Sequence, residues 1–401
     1  MARLTTEKLA QAARLVGASE FDVWLTFVRE TFGGGDPALP LILEGGLTWQ
    51  SALMVFRDGA KVAIVGNYDA DPLKAAGDWD EVVPYVQGIR EPLLAQLEAR
   101  ISKGKTPRIG VNFSTDDVKA DGLSHGMFLL LEGYMKGTRF EACLASAGDL
   151  VGELRAVKTP EEVRRIRAAI AETDALFDWV DENVRIGMSE REVYDAIQER
   201  VEAKRLGYGW DPVGDPIVNS GPDSMVGHGV PSSSIRISPG HIFHIDLGVV
   251  KDGYSSDIQS CWYVPNPGET QPPEDVKSAC SAVVGAIDAG SQALLPGVEG
   301  WRVDEAARSF LVAQGYPEYL HALGHQVGRV AHDGGTILGP KWERYGQTPF
   351  GRVREGEVYT LELGVDVNGR GYLGIEEMVR VSQGGVEWLT TRQTDIPLLR
   401  G

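Results

Sequence analysis

Four acids and one histidine carry the chemistry legible in this sequence: Asp246, Asp257, His325, Glu362 and Glu376. Asp246 and Asp257 are 11 residues apart, with Lys251-Asp252-Gly253-Tyr254 supplying a turn between them. Glu362 and Glu376 are 14 apart, around Asn368-Gly369. The first acid of each pair interrupts an apolar strand pattern, in Ile245-Asp246-Leu247 and Leu361-Glu362-Leu363. Burying an unpaired carboxylate is costly, so four acids turned into one core call for a cation. Oxygen-rich ligation with one imidazole suits Mn²⁺, Co²⁺, Fe²⁺ or Zn²⁺. Taken singly, Asp257 would read as a turn or edge residue, Glu376 or Glu377 as a solvated charge, and His325 as a packed or capping histidine. Their symmetric placement is what points to a pair of divalent metal ions.

An internal repeat explains how the acids come together. Pro160-Glu161-Glu162-Val163 is echoed by Pro273-Glu274-Asp275-Val276, Ile186-Gly187 by Pro296-Gly297, and Gly207-Tyr208 by Gly315-Tyr316. Gly227-His228-Gly229-Val230 pairs with Gly324-His325-Gln326-Val327. Ile245-Asp246-Leu247-Gly248-Val249 pairs with Leu361-Glu362-Leu363-Gly364-Val365. The offsets drift between about 97 and 119, a spread that loops absorb. Residues 159–395 therefore read as two copies of one helix–helix–strand–strand unit, whose sheets can bury together and turn their acids towards a shared axis. Capping boxes open both helices of the first copy. Thr159-Pro160-Glu161-Glu162 starts a helix running to about Val184, and Ser189-Glu190-Arg191-Glu192 starts one ending near Gly207.

Residues 1–155 read as a separate α/β domain, leaving 156–401 as the domain that carries the acids. Val23 to Val28 and Arg108 to Phe113 have strand character, and Ala52 to Val65 a hairpin turning on Asp58-Gly59. Pro92 to Ala99 places Leu93, Leu94 and Leu97 at helical spacing. A length of 401 residues, 43% hydrophobic and 24% charged, fits two globular domains. The net charge of −18, from 57 acidic and 39 basic residues, argues against a nucleic-acid partner. Cys143, Cys261 and Cys280 match neither a zinc-finger spacing nor a disulfide framework, and read as buried residues of a reducing compartment. The amino terminus lacks the apolar run of a signal peptide, and no apolar stretch reaches the roughly 18 residues of a membrane span. A cytoplasmic location is expected.

The ordered run His244-Ile245-Asp246-Leu247-Gly248, Asp252-Gly253-Tyr254 and Asp257-Ile258 continues with Gly324-His325-Gln326-Val327-Gly328. It closes with Thr360-Leu361-Glu362-Leu363-Gly364 and Ile375-Glu376-Glu377-Met378-Val379. This set resembles the metal-binding residues of the pita-bread metallopeptidases: the methionine aminopeptidases, aminopeptidase P and the prolidases. The resemblance spans residues 155–395, and the segment before it resembles the amino-terminal domain of prolidase, aminopeptidase P and creatinase. It implies a creatinase/prolidase-like α/β domain followed by an α+β pita-bread catalytic domain with an internal pseudo-twofold repeat.

By the same resemblance, Asp246 would bind one metal, Asp257 and Glu376 would bridge both, and His325 and Glu362 would complete the second site. The two ions, Mn²⁺ foremost with Co²⁺ or Zn²⁺ as alternatives, would share a hydroxide that attacks the scissile carbonyl. Glu362 would serve as general acid and base, and His228 and His332 as donors to substrate or oxyanion. His241, His244 and His321 are expected to be structural or peripheral, and His125 has no assigned role. The implied reaction is hydrolysis of Xaa-Pro bonds in dipeptides by a cytoplasmic homodimer, with the aminopeptidase P reaction on longer peptides as the alternative. A creatinase-like metal-free hydrolase, or a non-catalytic binding protein on this fold, would be expected to have lost ligands, and none is missing.

The resemblance thins at substrate recognition. Gly229 stands where prolidases place a tyrosine, Gly374 where they place an arginine, and Leu363 where they place a proline. Arg329 and Arg370 are candidates to substitute for the arginine in binding a carboxylate, against the blander reading of ordinary loop arginines. Asp36, in Gly33-Gly34-Gly35-Asp36-Pro37, is a candidate to pair with a substrate amine, against the blander reading of a solvated loop.

Overall fold

In the computed structural model, described for residues 3–227 and 229–399, the chain divides into two compact units, Met1–Arg155 and Ala156–Gly401. The first contains α1 (Leu4–Ala18), β1 (Val23–Val28), α2 (Leu39–Ile42), β2 (Ser51–Phe56), β3 (Lys61–Gly66) and α3 (Asn67–Ala76). It continues through β4 (Glu81–Tyr85), α4 (Arg90–Arg100), β5 (Ile109–Val111), α5 (His125–Met135), β6 (Leu144–Ser146) and α6 (Gly148–Ala156). Its mixed sheet has the order β4-β3-β2-β1-β5-β6. Successive side chains of a strand point to opposite faces. So Val23, Leu25 and Phe27 of β1 join one core while Trp24 and Val28 join the other. The β2–β3 hairpin turns on Asp58-Gly59, where Gly59 takes φ +89 and the Asp58 carboxylate accepts from the Ala60 amide at 3.0 Å.

The second unit opens with α7 (Pro160–Asn183) and α8 (Glu190–Ala203), and both capping boxes form, from Thr159 with Glu162 and from Ser189 with Glu192. The second helix stops short of Gly207. Arg205 adopts the left-handed conformation and the Leu206 amide closes back onto the Val201 carbonyl at 3.0 Å. Then come β7 (Gly207–Tyr208), β8 (Ile217–Ser220), β9 (Ile242–Leu247), β10 (Val249–Lys251), β11 (Tyr254–Ser255) and β12 (Ile258–Tyr263). The second copy supplies α9 (Glu274–Ala293), α10 (Gly300–Ala313), β13 (Val358–Val367) and β14 (Gly371–Ser382), with β15 (Gly385–Trp388) paired to β14. The main sheet runs β13-β14-β12-β9-β8, so the hairpins of the two copies lie side by side with β12 against β14.

Alternation along β13 decides which face carries the acids. Tyr359, Leu361, Leu363 and Val365 pack with Val283, Ile287, Val303 and Leu311 of α9 and α10 in one core. Thr360, Glu362 and Gly364 must therefore face the other way. The first copy is less regular than its spacing predicts. Between Asp246 and Asp257 the chain leaves the main sheet, and β10 and β11 join β7 in a separate three-stranded sheet. Asp257 thus sits one residue before β12 rather than on a strand. Among the described residues, no helix is long and apolar enough to cross a membrane.

Candidate metal centre

Register assembles the site. Asp246 on β9 lies opposite Gln259 on β12, Gln259 lies opposite Glu376 on β14, and Glu376 lies opposite Glu362 on β13. Laterally paired residues share a face, so the four side chains form one row across the sheet. Asp257, two residues before Gln259, reaches the same place. His325 comes from a segment that lies along the free edge of β13. The Thr360 amide donates to the His325 carbonyl at 2.9 Å and the Glu362 amide to the Leu323 carbonyl at 2.7 Å. Gly324 permits this approach, since a Cβ there would fall 2.0 Å from the Thr360 carbonyl oxygen. The segment does for β13 what β8 does for β9, completing the pseudo-twofold arrangement.

Three overlapping clusters result, each with ligand atoms within 4.8 Å of one another: Asp246, Asp257 and Glu376; His325, Glu362 and Glu376; Asp257, His325 and His332. His325 Nε2 lies 3.5 Å from Glu362 Oε1, 3.6 Å from Asp257 Oδ2 and 4.0 Å from Glu376 Oε1. Its Nδ1 faces the Gln326 carbonyl at 3.4 Å, which favours the tautomer that leaves the Nε2 lone pair towards the acids. Burial, and then His332, push the His325 pKa down to about 3, so the ring is neutral, as a ligand must be.

The acids show the opposite strain. Burial first, and then neighbouring carboxylates, raise the pKa values of Asp246, Asp257, Glu362 and Glu376 well above the usual range. Asp246 Oδ1 and Glu376 Oε1 are buried with no hydrogen-bond partner. Four clustered carboxylates, two with orphaned oxygens, and a neutral imidazole fit divalent cations and little else.

Neighbouring acids are sorted by strand alternation. Glu376 enters the cluster, whereas the Glu377 carboxylate turns away to accept from Thr390 Oγ1 and, at 2.7 Å, from the Gln393 amide. The segment bearing His325 and His332 is anchored by a buried ion pair, Lys158 Nζ to Asp333 Oδ2 at 2.9 Å. The His332 ring meets His325 edge-on, centroids 4.1 Å apart. His228 lies outside the described residues. The loop around it is pinned at both ends by Glu190, which accepts from the Ser220 and Ser232 amides at 2.9 Å each.

The substrate-side expectations fare differently. Arg370 sits at the tip of the β13–β14 hairpin, six residues and about 20 Å of strand from Glu376. Its guanidinium is already engaged by Asp275 at 2.6 Å and the Gly240 carbonyl at 2.9 Å. Arg329 lies over the Tyr254 ring, 5.5 Å from its centroid, beside the β10–β11 turn. Asp36 is neither solvated nor available. It is 3% exposed and accepts from Asn112 Nδ2 at 2.7 Å and the Ala38 amide at 2.8 Å, inside the first unit. His321 is structural, with Nδ1 on the Ala322 carbonyl at 2.7 Å.

His244 is structural but not peripheral. It is buried on the site face, with Nε2 3.0 Å from Gln259 Oε1 and Nδ1 3.1 Å from Asn219 Oδ1. Gln259 is the site residue that motif reasoning missed. The signal available was register: in each hairpin the residue opposite the first acid lies 13 or 14 positions on, which is Glu376 in one copy and Gln259 in the other.

A duplicated α+β fold with a carboxylate-rich, histidine-completed centre defines the class, a cation-binding hydrolase scaffold. The chain belongs to metallopeptidase family M24, whose profile matches residues 164–383. It is 28% identical over 328 residues to the Xaa-Pro dipeptidase of Pyrococcus furiosus, covering 80% of this chain and 87% of that protein. It is 25% identical over 283 residues to the Xaa-Pro dipeptidase of Lactobacillus helveticus, covering 70% and 72%. Among solved structures, an Xaa-Pro dipeptidase from Bacillus anthracis superposes with a TM-score of 0.71 at 21% identity, over 98% of this chain and 100% of that one. An X-Pro aminopeptidase from Thermotoga maritima gives 0.67 at 23%, over 99% and 100%. At those identities the likeness shows the shared fold: an amino-terminal α/β domain and a pita-bread domain.

Proposed function

We propose that this chain is a dinuclear-metal Xaa-Pro dipeptidase acting on short peptides with proline in the second position. The observation that carries the reading is the convergence of Asp246, Asp257, His325, Glu362 and Glu376 with orphaned buried oxygens. The dipeptidases of Pyrococcus furiosus and Lactobacillus helveticus support the substrate class. Asp246 would hold one ion, Asp257 and Glu376 both, and His325 and Glu362 the other. Mn²⁺ suits this set, with Co²⁺ or Zn²⁺ as substitutes. The metal pair, when bound, supplies a polarised scissile carbonyl and a water of lowered pKa.

The chain's own groups do the rest. The Glu362 side chain is 20% exposed against 2% for Glu376, so it is the acid that can exchange a proton with substrate. It takes the proton from the attacking water and delivers it to the departing nitrogen. His332, exposed and against His325, donates to the oxyanion, and His228 is assigned the same task from the Glu190-pinned loop. Homodimerisation and a cytoplasmic location are part of the same reading.

The deciding experiment is a panel of Xaa-Pro dipeptides and Xaa-Pro-Yaa tripeptides with added Mn²⁺, Co²⁺ or Zn²⁺, with Asp257→Ala as control. Metal-dependent cleavage of the dipeptides, absent in the control, supports the proposal. Preference for tripeptides would reassign the chain to the aminopeptidase reaction. No cleavage with any metal would reject both.

A further inference from the structure

Gln259 occupies the register position that symmetry would give to a fifth acid, between Asp246 and Glu376. It is 8% exposed, and its amide nitrogen donates to two carboxylates at once: Glu376 Oε2 at 2.9 Å and Glu362 Oε2 at 3.2 Å. Both N–H groups of the amide are thereby used. The remaining oxygen of each acid, Oε1, is the one turned towards His325 Nε2, at 3.5 Å for Glu362 and 4.0 Å for Glu376. One amide thus ties down one oxygen of each acid and leaves the other turned towards His325.

An amide can be reversed, so something must fix which end faces the acids. Gln259 Oε1 lies 3.0 Å from His244 Nε2, which donates an N–H to it in the tautomer that leaves Nδ1 bare beside Asn219 Oδ1 at 3.1 Å; with the amide reversed, Gln259 Oε1 would face two carboxylates. The meeting point of the two is kept clear by Gly374. A Cβ at 374 would fall 2.8 Å from Gln259 Oε1, 3.1 Å from His244 Nε2 and 2.4 Å from Tyr372 Cε1.

We infer that Gln259, oriented by His244, is a positioning residue that sets which oxygens of Glu362 and Glu376 are presented to the metal pair. The inference rests on those two acids being metal ligands. Partners of ligands in this outer layer change metal affinity about 10–100-fold when removed. A polar residue that merely fills the sheet would instead change folding stability and leave affinity alone.

The test titrates Mn²⁺ calorimetrically into the metal-stripped full chain and follows thermal unfolding of the same samples. Gln259→Met and His244→Phe are each expected to weaken Mn²⁺ binding by about 10-fold or more, in addition to any fall in the metal-free midpoint from the lost buried hydrogen bonds. The double variant should lose no more than Gln259→Met alone, because His244 acts through the amide. His244→Gln, which keeps an N–H at similar reach, should recover affinity to within about threefold of the native chain.

Native affinity in Gln259→Met, or losses that multiply in the double variant, would overturn the inference while leaving the metal centre in place. Absence of Mn²⁺ binding by the native chain would overturn the metal-centre reading and the inference together. Should Gln259→Met fail to fold, His244→Phe and His244→Gln decide alone: equal affinity in the two rejects the inference, and loss followed by recovery supports it.

Discussion

Lys158 Nζ lies 2.9 Å from Asp333 Oδ2, with the two side chains only 1% and 3% exposed. Asp333 closes the 326–333 loop through its own amide on the Gln326 carbonyl at 2.9 Å, so the pair fixes the segment that delivers His325 and His332. Breaking a buried pair from one side leaves an uncompensated charge. Lys158→Met is therefore expected to cost about 3–5 kcal/mol of unfolding free energy, and Lys158→Met with Asp333→Leu markedly less. Urea denaturation checks this, and a single-variant loss below about 1 kcal/mol would contradict it.

Metal binding should release protons. The metal-free protein holds protons on its raised carboxyls, and ligation requires their removal. Mn²⁺ affinity is expected to rise with pH below neutrality. Titration heats at one pH should differ between two buffers of unlike ionisation enthalpy; identical heats would rule the release out.

The two adjacent acids on β14 should behave oppositely. Glu376→Gln is expected to abolish tight binding of the metal pair and reduce activity below about 1%. Glu377→Gln leaves the metal content intact and costs about 1–2 kcal/mol of stability through Thr390 and Gln393. Elemental analysis beside thermal unfolding separates the two, and metal loss in Glu377→Gln would reverse the assignment.

His332→Ala should lower kcat by about 100-fold with both ions retained, as removal of an oxyanion donor does. Loss of an ion instead would show that His332 acts as a ligand beside Asp257 and His325.

Asp36 links pH to the stability of the first unit. Burial raises its pKa to about 6, against an ordinary 3.8, so the folded chain holds a proton that the unfolded chain has released between those values. Stability must fall as pH rises through that window, by at most about 3 kcal/mol. The gap in unfolding free energy between the native chain and Asp36→Ala should therefore narrow from pH 4 to pH 7. A gap that stays constant would exclude the linkage.

The clustering of Asp246, Asp257, His325, Glu362 and Glu376 was legible because its signal is chemical: acids set in apolar strands and repeated at matching places are costly to bury apart from a cation. The repeat also foretold the paired hairpins, and the capping boxes at Thr159 and Ser189 located two helices. Gln259 escaped because an amide in a strand carries no such signal until register is known, and the excursion through β10 and β11 disturbs the count. The surroundings of Arg370 and Asp36 were not legible for a related reason. Sequence shows a charge but not its partner, and Asp275, Asn112 and the Ala38 amide claim them through contacts 95, 76 and 2 residues away.

Gly374 has a consequence for how this centre can be altered. The space above it is filled by Tyr372, which also covers Gly364, and by the His244–Gln259 contact. A side chain of any size at 374 must displace these neighbours first. A side chain at 374 is therefore to be introduced together with smaller neighbours at 244, 259 or 372, a combination out of reach of mutational scans that alter one residue at a time.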